Sequence, residues 1–259
     1  MKISAVIPFY AEWDDVRPLF LHHAGACLNS VLAQPFVSEI ILVDDGSARI
    51  AASALDQAIA ALACEPENHG RDIIVVRHAY NLGPSAARNT GLRMVTNDWC
   101  LILDSDDRIV SLDAQLSALQ FAEKQIGYVM GSWRSFDDKG TSFALNAPEL
   151  PSIAQLCLRN LTPITAIIRV EAWRQLREKN GQGYDEEVVR LGGGEDWLFW
   201  LELLSLGWKG IAAPGLMWEY RVNEESQRTK RDKNTFLIRA YVAQKMKRYN
   251  VFVPMEYPT

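Results

Sequence analysis

Apolar runs alternate with helical patterns along residues 1–107 of the chain. Four of these runs have a continuous apolar centre and are bounded by a proline, an acid or a turn residue, which predicts buried strands. The four runs are residues 3–9, 38–44, 72–78 and 99–104. Apolar residues at helical spacing predict helices between them, at 14–34, 53–63 and 83–95. Strands that are apolar on both faces indicate a mainly parallel central sheet flanked by helices, an α/β fold.

The polar residues that follow these strands share one location in such a sheet. Because crossover connections are right-handed, the C-terminal ends of parallel strands meet at the same edge. Ligands of open α/β sheets bind at that edge. The polar clusters after "AVIPF", "IILV" and "CLIL" are therefore predicted to line one crevice.

The pattern changes after residue 107. Residues 126–143 are typical of a hairpin with "DDKG" as its turn. A further strand is predicted at 165–170, and further helices at 152–160, 171–181, 195–206 and 234–252. No internal repeat or linker-like tract interrupts the chain. We predict one domain over 1–259, made of a first half (1–107), a second half (108–222) and a C-terminal segment (223–259).

Acidic residues end two of the predicted strands. Asp44 and Asp45 belong to "VDDGS". This segment is either an ordinary turn, or it presents a carboxylate that accepts a hydrogen bond from a base N–H or a ribose hydroxyl. Asp104 and Asp106, in "LILDSDD", are separated by one residue and can address one ligand where the backbone turns. Their hard oxygen atoms suit Mg²⁺ or Mn²⁺, which bind through one or two carboxylates plus substrate phosphates. A solvated turn is the alternative, and Asp107 is expected only to begin the next turn.

Two further segments carry candidate chemistry. In "NLGPSAARNTG", Arg88 and Asn89 lie one turn into a helix, where they could reach a phosphate. The segment has neither the P-loop nor the GxGxxG spacing. An ordinary capped helix that binds no phosphate is therefore an equally good interpretation. In "LGGGEDWLFWLELL", Glu195 and Asp196 begin an apolar helix after three glycines. They are either favourable charges at a helix N-terminus or a general base on a flexible loop, and Trp197 is expected in the core.

Composition and charge mainly exclude function classes. The chain has 259 residues, 48% of them hydrophobic, and a net charge of -5, so no overall basic field recruits nucleic acid. Its four cysteines form no CxxC pair, which favours a reducing compartment over a zinc site or disulfide framework. The N-terminus lacks the pattern of a signal peptide, and no run reaches the length of a membrane span. We expect a cytoplasmic protein, with peripheral membrane contact through residues 234–252 as a weaker hypothesis.

The ordered set of segments resembles the family 2 glycosyltransferases, which are inverting enzymes of the GT-A fold. The resemblance rests on "AVIPFY", "ILVDDGS", "NLGPSAARNTGL", "LILDSDD" and "GGGEDWLFWLELLSLG", and it extends from about Lys2 to Tyr220. It implies transfer of a sugar from a nucleotide-diphosphate sugar, with UDP the usual nucleotide, to an acceptor hydroxyl of a sugar or glycolipid. It also implies a Mn²⁺ or Mg²⁺ cofactor.

The resemblance assigns the nucleotide side of the site to the ends of the first two strands. Pro8, Phe9 and Tyr10 match the strand end that lines the nucleobase pocket in the family. Asp45, with Asp44 beside it, matches the acid that recognises the uracil or the ribose.

The helix and the acidic turn that follow are assigned in the same way. Arg88 and Asn89 match the helix that flanks the nucleotide. Asp104, Ser105 and Asp106 match the DxD element, in which the last Asp typically binds the metal and the first reaches the ribose or the metal shell. Ser105 is accordingly included among the nucleotide-sugar-binding residues.

The catalytic end of the site is implied by the "ED" motif. Asp196 matches the catalytic base, and Glu195 is its supporting neighbour. Family members often continue with "YRxH", but "YRVN" has Asn223 in place of the His, and Asn is a poorer metal ligand. Arg221 is therefore expected to neutralise the diphosphate, and residues 223–234 are expected to form a mobile segment that closes over the donor.

Two other functions compete with sugar transfer. A nucleotidyltransferase would require a basic, glycine-rich loop after the first strand, where this chain has "FYAEWDD". A non-catalytic nucleotide-sugar-binding domain would not require both Asp106 and Asp196. The sequence favours the transferase but leaves the donor sugar and the acceptor open, and acceptor choice is expected to reside in 128–194.

Overall fold

The computed structural model describes residues 1–12, 18–68, 70–222 and 227–255. Its strands are β1 (Ile3–Phe9), β2 (Val37–Asp44), β3 (Asp72–Arg77), β4 (Trp99–Ile102), β5 (Arg108–Ile109), β6 (Ile126–Phe136), β7 (Ser142–Asn146), β8 (Ala166–Arg169) and β9 (Lys209–Arg221). Its α-helices are α1 (Pro18–Leu32), α2 (Arg49–Cys64), α3 (Pro84–Met94), α4 (Asp113–Leu119), α5 (Ile153–Leu158), α6 (Val170–Asn180), α7 (Glu195–Ser205) and α8 (Gln227–Met246). One mixed sheet, with helices against it, organises the whole described chain.

The first half of the sheet is parallel, as predicted. β1 pairs in parallel with β2 and β4, and β2 pairs in parallel with β3. β1 is fully buried, which explains its continuous apolar run. The C-terminal ends of these strands therefore lie at one edge, because all four point in the same direction.

The second half of the sheet is mixed. β8 pairs antiparallel with β4 and β6, and the strand order is β3-β2-β1-β4-β8-β6-β9-β5. The predicted hairpin is confirmed, since β7 pairs antiparallel with β6. β9 pairs in parallel with β6 and returns the chain toward the acidic turn after β4. β9 and the short helix α4 were not predicted from the sequence.

The core lies on both faces of the sheet because successive residues of the buried strands point in opposite directions. Val6 and Ile102 belong to one apolar cluster, whereas Ile7 and Leu101 belong to the other. α7 is buried along most of its length, and Trp197 lies in the core as expected.

The C-terminal helix packs on the domain through one face. Ile238, Val242 and Met246, spaced four residues apart, are buried on that face, while Phe236 and Leu237 are exposed. Within the described ranges, no helix combines the length and apolarity needed to cross a membrane. Asn223 and the rest of 223–226 lie outside the described residues, as do 14–17 of the predicted first helix.

Candidate functional site

A cavity of about 500 Å³ opens where the acidic turn after β4 faces the N-terminus of α7. Four of the predicted site residues line it: Arg88, Asp104, Glu195 and Asp196. They come from three elements far apart in sequence, and the sheet topology brings them together. The other lining residues are Asp107, Trp133, Asn160, Leu161, Thr162, Pro163, Ile164, Gly192, Gly193, Gly194, Trp197, Trp218, Tyr220, Thr235 and Ile238.

Arg88 joins the two acidic elements of the cavity. Its Nη2 donates to Asp104 Oδ1 at 2.6 Å, and its Nη1 lies 3.3 Å from Glu195 Oε1. The side chain is only 3% exposed. Burial disfavours the charged guanidinium, but Asp104 and Glu195 outweigh burial and raise the pKa of Arg88. Arg88 therefore stays charged, and its two ion pairs hold α3, the turn after β4 and the N-terminus of α7 together.

Glu195 and Asp196 occupy the first turn of α7. Burial, and then the charge of Asp196, raise the pKa of Glu195, while Arg88 opposes that shift. Asp196 Oδ2 accepts a hydrogen bond from Asn160 Nδ2 at 2.8 Å, and its Oδ1 accepts one from the N–H of Trp197 at 2.7 Å. Asp196 is thus oriented from two sides at the cavity wall.

The glycines before α7 set the direction of this helix. Gly192, Gly193 and Gly194 have φ angles of 103°, 133° and 95°. L side chains rarely adopt such angles, so the "GGG" sequence is required by the conformation of the turn. A Cβ on Gly194 would also lie 2.6 Å from Cγ2 of Ile238.

The acidic turn is tied to the end of β9. Asp107 Oδ1 accepts a hydrogen bond from the N–H of Arg221 at 2.9 Å, and Arg221 Nε donates to the carbonyl of Asp106 at 3.0 Å. Arg221 also pairs with Asp138 at the hairpin turn. Burial and the charge of Asp104 raise the pKa of Asp106 to about 6, and burial with the charge of Asp106 raises the pKa of Asp107. Asp107 does more than begin a turn, because it anchors β9.

The residues assigned to the nucleobase lie at the same sheet edge but outside the cavity lining. Asp45 is 3% exposed. Its carboxylate accepts hydrogen bonds from the N–H groups of Leu82 and Gly83 at 2.9 and 2.7 Å, and it lies 2.6 Å from His78 Nδ1. The anion at the N-terminus of α3 is therefore supplied by the protein itself.

The neighbouring predicted residues have mixed surroundings. Asp44 is fully buried, where it accepts from the N–H of Ser47 at 3.0 Å and pairs with Arg77 at 2.7 Å. Pro8 and Phe9 are buried, while Tyr10 is half-buried. Ser105 and Asp106 are also half-buried and lie beside Asp104.

Asn89 lies away from the cavity. It is fully buried, and its Nδ2 donates to the carbonyl of Tyr184 at 2.8 Å and to Glu186 Oε1 at 2.9 Å. Its Oδ1 accepts from Trp173 Nε1 at 3.2 Å and from the N–H of Tyr184 at 2.8 Å. All four bonding positions of the amide are used within the fold.

Sequence reasoning missed three residues at this edge. His78 bridges Asp45 and Thr90 and directly follows β3, where its position after a strand was the available signal. Asn160 and Thr162 follow α5 in "RNLTP", which has no distinctive pattern in the sequence. Among the described residues, no group of three His, Cys, Asp or Glu side chains is arranged to hold a metal ion. A metal here would need oxygen atoms from its substrate as well.

The sequence is similar to those of known proteins. The sequence model described as "Glycosyl transferase family 2" matches residues 4–179. The undecaprenyl-phosphate 4-deoxy-4-formamido-L-arabinose transferase of Yersinia enterocolitica is 40% identical over 105 residues, which is 40% of this chain. The match covers 29% of the Yersinia protein, so the chain spans under a third of that relative's length.

Solved structures show the same fold at low sequence identity. S. aureus TarS 1-349 in complex with UDP has a TM-score of 0.62 and 18% identity, and the match covers 96% of this chain and 71% of TarS. Mannosyltransferase PcManGT from Pyrobaculum calidifontis, in complex with GDP-Man and Mn²⁺, has a TM-score of 0.62 and 17% identity. That match covers 94% of this chain and 64% of PcManGT. The chain therefore has the curled, mixed α/β sheet of these enzymes.

Proposed function

This chain belongs to glycosyl transferase family 2, and from that premise we propose that it transfers a sugar from a nucleotide-diphosphate sugar to an acceptor hydroxyl. The observation that carries the proposal is the convergence of Arg88, Asp104, Glu195 and Asp196 on one cavity. The charged side chains of these residues match the two requirements of such a reaction, one at the acceptor and one at the leaving group. A base is needed at the acceptor, and charge stabilisation is needed at the departing diphosphate.

The relatives support the same reaction class. The Yersinia protein is named a transferase acting on undecaprenyl phosphate, TarS was solved with UDP, and PcManGT was solved with GDP-Man and Mn²⁺. We propose UDP as the nucleotide, a sugar or glycolipid as the acceptor, and a peripheral contact with the membrane when the acceptor is lipid-linked.

Asp196 is proposed as the general base. Its carboxylate lies on the cavity wall and is oriented by Asn160 and by the N–H of Trp197. Asp196 removes the proton of the acceptor hydroxyl. The hydroxyl oxygen then forms the new bond to the anomeric carbon of the donor while the bond between that carbon and the diphosphate breaks. Attack from the opposite face inverts the anomeric centre, so an α-linked donor gives a β-linked product. Glu195, through Arg88, supports the position of Asp196.

The diphosphate is proposed to lie against the turn that holds Asp104 and Asp106. The hard oxygen atoms of these carboxylates, crowded at one turn, fit Mn²⁺ or Mg²⁺. A bound cation supplies positive charge to the leaving diphosphate. Arg221 holds this turn through the carbonyl of Asp106 and adds its own charge there. Asp45 and the end of β1 are proposed to bind the nucleoside.

Replacing the proposed base tests this function. Asp196→Asn keeps the shape and the contact with Trp197 but removes the basic oxygen, so turnover should fall by about 10²–10⁴-fold. Binding of UDP with Mn²⁺, measured by calorimetry, should change less than about twofold, since the base acts on the acceptor. Turnover is measured as release of UDP from a set of UDP-sugars in the presence of acceptor extracts.

Glu187→Gln is the matched control, because Glu187 is an exposed acid that precedes the same glycine turn. Its turnover should equal that of the unmodified chain. Near-normal turnover of Asp196→Asn would remove Asp196 as the base. UDP binding without any transfer or hydrolysis in the unmodified chain would favour a non-catalytic binding domain.

A further inference from the structure

One wall of the cavity is aromatic, and the proposed chemistry does not use it. Trp133 of β6 stacks on Trp218 of β9, with ring centroids 5.5 Å apart and planes at 24°. Tyr220 meets both rings edge-on, at 6.1 Å from Trp133 and 5.9 Å from Trp218. All three residues line the same cavity as Asp196.

Strand alternation separates this wall from the charged side of the same two strands. Trp133 pairs with Trp218, and the next pair along, Arg134 with Glu219, points to the other face and forms a salt bridge at 2.6 Å. Trp218 is 2% exposed, whereas Trp133 is half-buried. Trp218 therefore fixes the plane of Trp133, and part of the surface of Trp133 stays exposed.

A polar group without a partner among the described residues lines the same cavity. Thr162 is 3% exposed and lines the cavity, yet its hydroxyl has no hydrogen-bond partner within 1–12, 18–68, 70–222 and 227–255. Buried hydroxyl groups are normally paired, so this one is available to a ligand in the cavity. The backbone N–H of Thr162 donates to Asn160 Oδ1 at 3.2 Å, and Asn160 in turn holds Asp196. Thr162 is thus linked to the proposed base through Asn160.

The aromatic wall and Thr162 suit a carbohydrate ring better than the other components of the reaction. A diphosphate needs cations, and the guanidinium that lines the cavity, that of Arg88, is paired with Asp104 and Glu195, at the turn where the diphosphate is proposed to bind, and not at the aromatic wall. A hydrocarbon chain leaves a buried hydroxyl unpaired. A pyranose ring offers a flat C–H face for an aromatic ring and hydroxyl groups at its rim for Thr162 and Asp196.

We propose that Trp133 is the stacking platform of the acceptor subsite, and that it selects an acceptor whose terminal residue is a pyranose ring. The ring lies against Trp133, one rim hydroxyl bonds to Thr162, and the attacking hydroxyl faces Asp196. This inference rests on the proposed function and narrows it, because it assigns a ring acceptor rather than an open-chain polyol or a bare lipid phosphate.

The test uses simple probes with the full chain. Methyl glycosides of glucose, galactose and N-acetylglucosamine are titrated by saturation-transfer NMR, with and without UDP and Mn²⁺, and ribitol is the open-chain comparison. At least one pyranoside should bind in contact with aromatic protons, and ribitol should not. Trp133→Ala should weaken that binding by about tenfold or more, because a buried stacking ring is lost.

Two further variants separate stacking from folding. Trp133→Phe keeps an aromatic face and should restore pyranoside affinity to within about threefold of the unmodified chain. Phe121→Ala removes an aromatic ring that is 86% exposed and should have no effect on affinity. Thermal unfolding and UDP binding of each variant show whether the fold and the donor site are intact.

The outcomes distinguish this inference from the proposed function. Pyranoside binding that is lost in Trp133→Ala and restored in Trp133→Phe supports the stacking platform. UDP binding without any Trp133-dependent pyranoside binding, or ribitol binding as tightly as the rings, overturns it. Failure of the unmodified chain to bind any nucleoside diphosphate counts against the proposed function, whereas the pyranoside titration without UDP still tests the platform.

Discussion

Two groups of side chains, one in each half of the sheet edge, satisfy their polar groups in different ways. In the first half, the carboxylate of Asp45 already has three partners in the protein, and the amide of Asn89 has four. In the second half, the hydroxyl of Thr162 has no partner among the described residues, and Trp133 is only half-buried. Arg88 of the first half reaches Glu195 of the second half at 3.3 Å and so connects the two halves.

This difference indicates that the two groups of residues have different roles in ligand binding. Groups that are already bonded in the absence of ligand are held in place and lose little freedom when a ligand binds. Unpaired groups gain their bonds only when a ligand of matching shape arrives. The surroundings of Asp45 and Asn89 therefore have the character of a preorganised frame, and those of Thr162 and Trp133 have the character of a selective surface.

The largest effect is expected from breaking the connection between the halves. Arg88→Met leaves Asp104 and Glu195 without their buried cation, which should lower the free energy of unfolding by about 3 kcal/mol. Urea denaturation monitored by tryptophan fluorescence measures the loss. Turnover should fall as well, because Glu195 and Asp104 are both released from position.

Arg93→Met is the matched control, since Arg93 is an exposed residue of the same helix. Its free energy of unfolding should change by about 0.5 kcal/mol or less. A loss below about 1 kcal/mol in Arg88→Met would show that the connection between the halves contributes little to stability.

A smaller effect is expected from loosening the frame of the first half. His78→Phe removes the ring nitrogen that lies 2.6 Å from Asp45 and the one that lies 2.9 Å from Thr90. Without these contacts Asp45 is held less firmly, which should cost about 1 kcal/mol of binding free energy. UDP binding, measured by calorimetry, should therefore weaken by about fivefold. His22→Phe, at an exposed position, is the control. Unchanged UDP affinity in His78→Phe would separate Asp45 from the nucleotide.

The smallest effect on turnover and on UDP binding is expected at a charge that lies outside the cavity lining. Glu202, on α7, is 2% exposed and lies 3.7 Å from Arg248. Burial raises the pKa of Glu202 to about 8, although Arg248 opposes the shift. Since this pKa lies above the ordinary value of 4.5, the free energy of unfolding should fall as pH rises from about 4.5 to about 8.

Glu202→Gln removes this ionisation and should flatten that part of the pH profile. The free energy of unfolding of the variant, relative to the unmodified chain, should rise between pH 5 and pH 8 by up to about 1.4 kcal/mol per unit. Denaturation at several pH values measures it. Glu178→Gln, an exposed acid on α6, supplies a reference profile that should follow the unmodified chain. Identical slopes in all three proteins would contradict the assigned pKa.

The sequence predicted the first half of the fold because each element there has a strong local signal. β1, β2 and β4 are continuous apolar runs, and α3 begins beside a glycine that ends the preceding turn. β9 escaped prediction because Pro214 and Gly215 interrupt it, and both are typical of turns. α4 has only 7 residues, too few for a clear helical period.

The site was predictable where a motif carries the chemistry. Arg88, Asp104, Glu195 and Asp196 were named from their segments, and the structure places them around one cavity. The contacts that orient them were not predictable, because they join residues distant in sequence. Asn160 meets Asp196 across 36 positions, and Asp107 meets Arg221 across 114. Such pairs depend on the packing of the whole sheet.

The pairing of β6 with β9 also determines what a shift in strand register would do to the cavity. The register shifts between Met130 and Ser132 and again before Trp133, immediately ahead of the pair Trp133–Trp218. A slip of one residue along β9, in either direction, would move Trp218 and Tyr220 to the opposite face of the sheet and bring Glu219 toward the cavity. An insertion or deletion of a single residue in β9 would therefore place a carboxylate in a wall that is now aromatic, while the hydrogen-bonded sheet itself survived.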